Sequence, residues 1–250
     1  MVNILIYGIN GKMGRMVYNA IAARDDARAV CGVDKNTDSR GLGLPIYPDI
    51  NEVTEKVDCI IDFSVKSALY EILPYAEKHN IPCVLATTGY DSADAEYIKE
   101  YSKKLPIFRT GNLSMGIRAL VKLVEKACEL LGDKADIEII ECHHNQKVDS
   151  PSGTALMLYE GAKAMRPDLE PVYGREGIVG KRKKNEVGIH AVRGGTIVGK
   201  HEVMFIMDNE VITLSHEAES KAVFANGSVN AAIFLQGKGP GLYNMNDMIK

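Results

Sequence analysis

Met1-Val-Asn-Ile-Leu-Ile-Tyr-Gly8-Ile-Asn-Gly11-Lys-Met-Gly14 decides the fold. Ile4–Tyr7 is a short apolar run of strand type. Glycines follow at 8, 11 and 14, and from Gly14 to about Ala23 the apolar spacing becomes helical. Two residues rather than one separate the first two glycines, so the triplet departs from Gly-x-Gly-x-x-Gly and is weak by itself. Its context strengthens it: a strand precedes and a helix follows. Asp34 closes a second strand, Ala27–Asp34, about 20 residues on, where an acid that accepts from ribose hydroxyls is expected. The glycines would let the backbone turn and approach a pyrophosphate at the helix start. The competing reading is a plain strand–turn–helix whose glycines serve packing. Lys35 follows Asp34. The acid suits the free 2′-hydroxyl of NADH and the ammonium suits the 2′-phosphate of NADPH, so the pair predicts use of NADH or NADPH; a solvated loop lysine is the other reading.

Working outward, strand and helix signals alternate. Val57–Phe63, Pro82–Ala86 and Ile107–Thr110 read as strands, and Lys66–His79 and Ser92–Lys104 as helices. Such alternation predicts a parallel sheet covered by helices on both faces. Ser114–Leu131 is an amphipathic helix ended by Gly132. The pattern then changes: strand Ile137–Glu141, helix Ser152–Met165, and strands Val187–Val192, Thr196–Met207 and Val211–Ser215. Gly194-Gly195 and Asp208-Asn209 read as hairpin turns, which predicts a largely antiparallel second sheet. Glu219–Leu235 is a long helical pattern before a Gly-rich, polar tail. The fold class expected is therefore α/β: a Rossmann-like dinucleotide-binding domain and a second α+β domain.

Among 250 residues, 46% are hydrophobic and 25% charged, as in soluble globular proteins, and the net charge of −3 argues against a general nucleic-acid or anionic-membrane binder. The five scattered cysteines form no Cys-x-x-Cys pair, which suits free thiols in a reducing cytoplasm. No apolar run is long enough to span a bilayer, and Met1–Gly8 lacks the basic region and cleavage site of a signal peptide.

The densest chemistry lies in Glu141-Cys-His-His-Asn-Gln-Lys-Val-Asp-Ser-Pro-Ser-Gly-Thr-Ala155. Ser150 is expected to cap a helix, with Pro151 at its first position. The N–H groups of Ser152, Gly153 and Thr154 would then bind a carboxylate or phosphate, helped by the helix dipole. His143, His144 and Lys147 add proton donors and positive charge, so the segment suits a small anion that must be protonated. Adjacent histidines on an extended segment point opposite ways, so one would act in catalysis and the other bind or pack. Zinc ligation with Cys142 fits no common zinc spacing, and no metal is expected. His79, His190, His201 and His216 read as structural or surface groups, Lys181-Arg-Lys-Lys184 as a solvated basic loop, and Arg193 as either ligand-facing or exposed on a hairpin.

This segment resembles the signature of the dihydrodipicolinate reductase family, Glu-x-His-His-x-x-Lys-x-Asp-x-Pro-Ser-Gly-Thr-Ala. The likeness covers nearly the whole chain: Gly8–Gly14, Asp62-Phe-Ser64, Thr87-Thr-Gly89, Asn112-Leu-Ser114, Ala191–Gly195, Gly199-Lys-His201, Phe224–Gly227 and Gly241–Met245 are similar to family segments. The resemblance implies that Gly8, Ile9, Asn10, Gly11, Lys12, Met13, Asp34, Lys35, Phe63, Ala86, Thr87, Thr88, Thr110, Gly111, Asn112 and Leu113 line the cofactor. It implies His143 as proton donor, Lys147 as its catalytic partner, and His144, Gly153 and Thr154 on the substrate carboxylate. Residues 1–112 and 219–250 would form the dinucleotide-binding domain, and 113–218 the domain for substrate binding and homotetramer assembly. Ala86, Leu113 and Lys221 depart from the family's usual glycine, aromatic or methionine, and arginine.

The reaction so implied adds hydride from NAD(P)H to ring C4 of a small dicarboxylate, with protonation at C3, in lysine and diaminopimelate biosynthesis. Two other readings are a related oxidoreductase acting on another small dicarboxylate or amino acid, and a non-catalytic NAD(P)H sensor. The set His143, Lys147, Gly153 and Thr154 separates the first reading from both.

Overall fold

The computed structural model describes residues 1–249. It divides into two compact units, Met1–Leu113 together with the chain from Lys221 onward, and Ser114–Ser220.

In the first unit β1 (Val2–Tyr7), α1 (Lys12–Ala22), β2 (Ala27–Val33), β3 (Ile46–Tyr47), β4 (Cys59–Asp62), α2 (Leu69–His79), β5 (Cys83–Leu85), α3 (Ser92–Ser102) and β6 (Pro106–Arg109) follow one another. The second unit holds α4 (Met115–Leu131), β7 (Asp136–His143), α5 (Gly153–Met165), β8 (Glu170–Val172), β9 (Glu186–Arg193), β10 (Gly199–Met207) and β11 (Glu210–Ala218). The chain then returns to the first unit with α6 (Ala222–Phe234), β12 (Gly241–Tyr243) and α7 (Met245–Met248).

The first sheet has seven strands in the order β12-β6-β5-β4-β1-β2-β3, every neighbouring pair parallel. Leu5, Ile60, Leu85 and Ile107 pack on Leu69, Ile72 and Ile98 of α2 and α3. On the other face Ile6, Ile61, Val84 and Phe108 meet Val17 and Ile21 of α1 and Val229 and Ala232 of α6. Burial on both faces explains why these strands read as continuous apolar runs. Strand order reverses about β1, whose neighbours are β2 and β4. The crevice at the carboxyl ends of such strands is where open α/β sheets bind ligands. The polar tail contains β12, a three-residue strand on β6, too short to show a period.

The second sheet has five strands, β11-β10-β7-β9-β8. It is mixed, not largely antiparallel: β10 runs antiparallel to β11 and β7, while β7–β9 and β8–β9 are parallel. Asp208-Asn209 does turn a hairpin, but Gly194-Gly195 does not. β9 pairs with β7, so that turn carries the chain over to the far side of β7. Leu120 and Val124 of α4 and Ala155 and Leu158 of α5 pack on Ile137, Ile139, Val187 and Phe205. Along β7 burial alternates, and Ile137, Ile139, Glu141 and His143 face the buried side. Two ionisable residues thus continue an apolar stripe at the strand's end. The basic run is not wholly solvated either. Arg182 lies across the sheet's other side, bonded to Asp136, Glu138 and the Ile137 and Glu186 carbonyls.

Candidate active site

The dinucleotide cradle is built from the β1–α1 turn. Gly8 has φ +83°, and a Cβ there would sit 2.7 Å from the Phe63 carbonyl oxygen. At Gly14 a Cβ would meet the Gly8 oxygen at 2.1 Å, so helix and strand approach too closely for any side chain. Gly11 caps α1 with no side-chain bond, and the first turn holds no acid. The α1 start therefore keeps its N–H groups and positive dipole end for an anion, as a pyrophosphate requires. Asp34 accepts from the Asn10 N–H at 2.9 Å and the Asn36 N–H at 3.1 Å, one on each carboxylate oxygen. Each oxygen keeps a lone pair for ribose hydroxyls. Lys35 and Lys12 are exposed, and Met13 is half-buried. Ile9 is fully buried and packs against Gly32, so it reaches a cofactor by backbone alone.

At the carboxyl ends of β4, β5 and β6 lie Phe63, Ala86, Thr87, Thr88, Thr110, Gly111, Asn112 and Leu113. Thr87 Oγ1 accepts the Ser64 N–H at 3.0 Å, and Thr110 bonds the Asn112 carbonyl at 3.1 Å. A cavity of about 440 Å³ is lined by Thr87, Thr88, Tyr90, Arg109, Thr110 and Gly111, among others. Arg109 lies 5.2 Å above the Tyr90 ring. Buried Asp62 bonds Ser64 and Tyr90. Burial raises its pKa against the opposing hydrogen bonds of Ser64, Thr87 and Tyr90. Leu113, which stands where the family has an aromatic or methionine, is buried in the core beside Gly227.

The second unit gathers Glu141, His143, His144, Lys147, Gly153 and Thr154. Ser150 and Pro151 do not begin α5. The Ser150–Pro151 peptide is cis, and the cap is Ser152, whose Oγ accepts the Ala155 N–H at 3.1 Å. The start lies two residues later because Ser152 is held there twice more. Its N–H donates to Glu141 at 3.0 Å, and its Oγ lies 3.0 Å from His201 Nε2. The Ser152 N–H is therefore spent, and Gly153 and Thr154 begin the helix. A Cβ at Gly153 would meet nothing within 4 Å. Packing does not require glycine there, whereas close approach of a ligand would.

Glu141 is fully buried, and both its oxygens are engaged by the Arg193 guanidinium at 2.7 and 2.8 Å. Its Oε2 lies 2.6 Å from His143 Nδ1. Burial opposes Glu141 ionisation, but Arg193, His143 and the Ser152 N–H outweigh it and hold the pKa below the usual range. An ionised carboxylate only accepts, so His143 Nδ1 carries the proton and donates. His143 Nε2 has no hydrogen-bond partner among the described residues. Burial lowers the His143 pKa more than Glu141 raises it, with Lys147 and Arg193 adding to the fall. Lys147 is paired with Asp149 at 2.8 Å. His144 follows the strand's last residue and is half-buried.

His201, expected as a structural or surface group, is 4% exposed and lies edge-on to His143 at 5.1 Å between ring centres. Burial and the neighbouring His143 charge lower its pKa to about 4. Arg193 is not an exposed hairpin arginine; its guanidinium clamps Glu141. Glu141 carries a signal in the sequence as well: two residues from His143 on a strand, it shares that residue's face.

Residues 2–113 match the family model described as dihydrodipicolinate reductase, N-terminus, and residues 116–249 the model for its C-terminus. A Caldanaerobacter subterraneus protein named 4-hydroxy-tetrahydrodipicolinate reductase is 48% identical, over 100% of this chain and 99% of the relative. The chain belongs to the dihydrodipicolinate reductase family. A Clostridium tetani protein of the same name is 45% identical over 100% of this chain and 97% of its own. The fold is that of a solved, dipicolinate-bound dihydrodipicolinate reductase from Paenisporosarcina sp. TG-14, with TM-score 0.80, 22% identity and full coverage of both chains. It is shared more distantly with a Lactobacillus casei myo-inositol dehydrogenase solved with NAD(H), with TM-score 0.62, 15% identity, and 99% and 90% coverage. In this chain the run Glu141–Ala155 is a strand end, a loop and a helix start that share one buried carboxylate.

Proposed function

We propose that the chain catalyses the NAD(P)H-dependent reduction of 4-hydroxy-tetrahydrodipicolinate (dihydrodipicolinate) to tetrahydrodipicolinate, a step in cytoplasmic lysine and diaminopimelate biosynthesis. The observation that carries this reading is the Glu141–His143 pair beside the open helix start at Gly153-Thr154. It supplies a proton donor next to an anion cradle. Membership of a reductase family supports the rest.

The residues fit a dinucleotide: Gly8, Asn10, Gly11, Lys12 and Met13 would cradle its pyrophosphate, Asp34 and Lys35 its adenosine ribose, and Phe63, Ala86–Thr88 and Thr110–Leu113 its nicotinamide end. Loss of the 4-hydroxyl as water leaves a conjugated imine, and reduced nicotinamide, when bound, would supply the hydride for its ring C4. The protein's residues do the remaining work. Gly153, Thr154 and His144 hold the substrate carboxylate. His143 gives its Nε2 proton to C3 as negative charge builds on the ring. Lys147, whose ammonium must exchange Asp149 for substrate, stabilises charge at the ring nitrogen. A dianionic substrate beside His143 would raise its pKa, so the acid is charged where it is needed.

The test supplies substrate with the synthase that condenses pyruvate and aspartate semialdehyde and follows NADH and NADPH in parallel. Synthase-dependent oxidation of both is expected, and Lys35→Ala should raise KM for NADPH more than for NADH. Tight cofactor binding with no oxidation would overturn the reading. We also infer a homotetramer assembled through the second sheet. β11 is a nine-residue edge strand with Val211 and Ile212 exposed, and Val192 and Ile197 are exposed on the same unit. Natural proteins cover such edges. Light scattering should give four chains per particle; a monomer would contradict it.

A further inference from the structure

We propose that Glu141 and Arg193 are positioning residues for the proton-transfer step: Arg193 fixes the Glu141 carboxylate, and Glu141 fixes both the His143 tautomer and the helix start bearing Gly153 and Thr154. The proposal rests on the function inferred above and extends it from the proton donor to the groups that make it one.

Stability does not explain the pair. A buried ion pair is often no better than well-packed apolar residues of the same volume, whereas breaking one by removing a partner is costly. An apolar residue at 141 would simply continue the stripe of Ile137 and Ile139. The carboxylate instead accepts four hydrogen bonds from three separate places: two from Arg193 at the end of β9, one from His143 on its own strand, and one from Ser152 at the start of α5. One rigid anion therefore sets the spacing between the imidazole and the anion cradle, the kind of registration that proton transfer to a bound substrate demands. Arg193 reaches further and donates to the Asp149 carbonyl at 2.8 Å. That bond ties the loop carrying Lys147 to the same carboxylate.

The charges are matched to the task. Alone, Glu141 would hold an imidazolium firmly and make His143 a reluctant acid. With Arg193 on both oxygens the carboxylate is already neutralised, so it orients the ring without trapping the proton. The groups facing His143 are then Glu141, Arg193, Lys147 and neutral His201, and the two cations push toward proton release. Nε2 is kept clear by Gly199 on β10, where a Cβ would lie 3.1 Å from it.

The experiment records ring-nitrogen NMR spectra of His143 in the full-length protein, alongside kcat and kcat/KM against pH, for the wild type, Glu141→Gln and Arg193→Lys. In the wild type neutral His143 should be the Nδ1–H tautomer. Glu141→Gln places an amide donor among donors. It should mix the tautomers, move the alkaline limb of kcat/KM to lower pH and reduce kcat roughly 100-fold or more. Cofactor affinity should be unchanged. Arg193→Lys keeps the charge and loses the fork. It should give a smaller kcat loss with the limb less displaced, and it serves if Glu141→Gln does not fold. Unchanged tautomer and limb in the folded variants would overturn the proposal even if kcat fell. A wild type that does not turn over the substrate would instead sink the functional reading, and the tautomer spectrum would still decide the positioning claim.

Discussion

At the scale of single residues, His143 shows how burial and charge set an acid. Its free-protein pKa lies below the ordinary 6.5, because burial lowers it more than Glu141 raises it. With His143 as the proposed proton donor the active form is the protonated one, so kcat/KM, which reports the free enzyme, should fall as pH rises through that lowered value. A bound dianion favours the imidazolium, so the corresponding limb of kcat should lie at higher pH. Coincident limbs in the two profiles would refute the argument. Gly153 allows a separate prediction. Among the described residues nothing lies within 4 Å of a Cβ there. Gly153→Ala should therefore leave thermal unfolding unchanged while lowering kcat/KM by roughly tenfold or more, a loss of at least about 1.4 kcal/mol in transition-state binding. A fall in melting temperature with kcat/KM retained would mean that the glycine serves the fold.

At the scale of elements, the strand β7 and helix α5 share one polar junction. Ser152 caps α5, bonds His201 and donates its N–H to Glu141. Ser152→Ala should cost about 1–2 kcal/mol for the lost cap, and more for a His201 ring left without its bond to Ser152; urea unfolding would measure it, and an unchanged midpoint would contradict the assignment. The same junction shows what was legible beforehand. The β1–α1 turn and the place of Asp34 just after β2 are legible because a strand, glycines and a second strand at fixed spacing leave few other arrangements. The helix start was misplaced because Ser150-Pro151 and Ser152-Gly153 are both good local starts, and the choice between them is made by Glu141 and His201, distant in sequence. Arg193 and the order of the second sheet were hidden for a related reason. Short strands announce their periodicity but not their neighbours, and β9 lies beside β7 although it is followed by β10. β8 and β12, three residues each, carry no period at all.

At the scale of the whole molecule, buried titratable groups shape stability against pH. His201, ordinarily near 6.5, is held at about 4. The unfolded chain binds its proton first, so stability is complete above about 6.5 and is lost as pH falls through 4, by about 3 kcal/mol in all. Glu138, gripped by Arg175, His190 and Arg182 against the cost of burial, is lowered to about 2. Its contribution, also about 3 kcal/mol, is present above the unfolded value near 4.5 and lost as pH falls toward 2. Unfolding free energy should thus decline in two overlapping steps on acidification, and His201→Gln should remove the step nearer neutrality. A flat profile between pH 7 and 4 would contradict the His201 assignment.

The most direct test of the central claim compares the wild type with His143→Gln in the synthase-coupled assay, measuring kcat at saturating substrate and cofactor together with the NADH dissociation constant. The wild type should turn over, kcat should be roughly 100- to 10,000-fold lower in the variant, and NADH binding should be unchanged. Equal kcat in the two proteins would contradict it, because the proton would then come from another group.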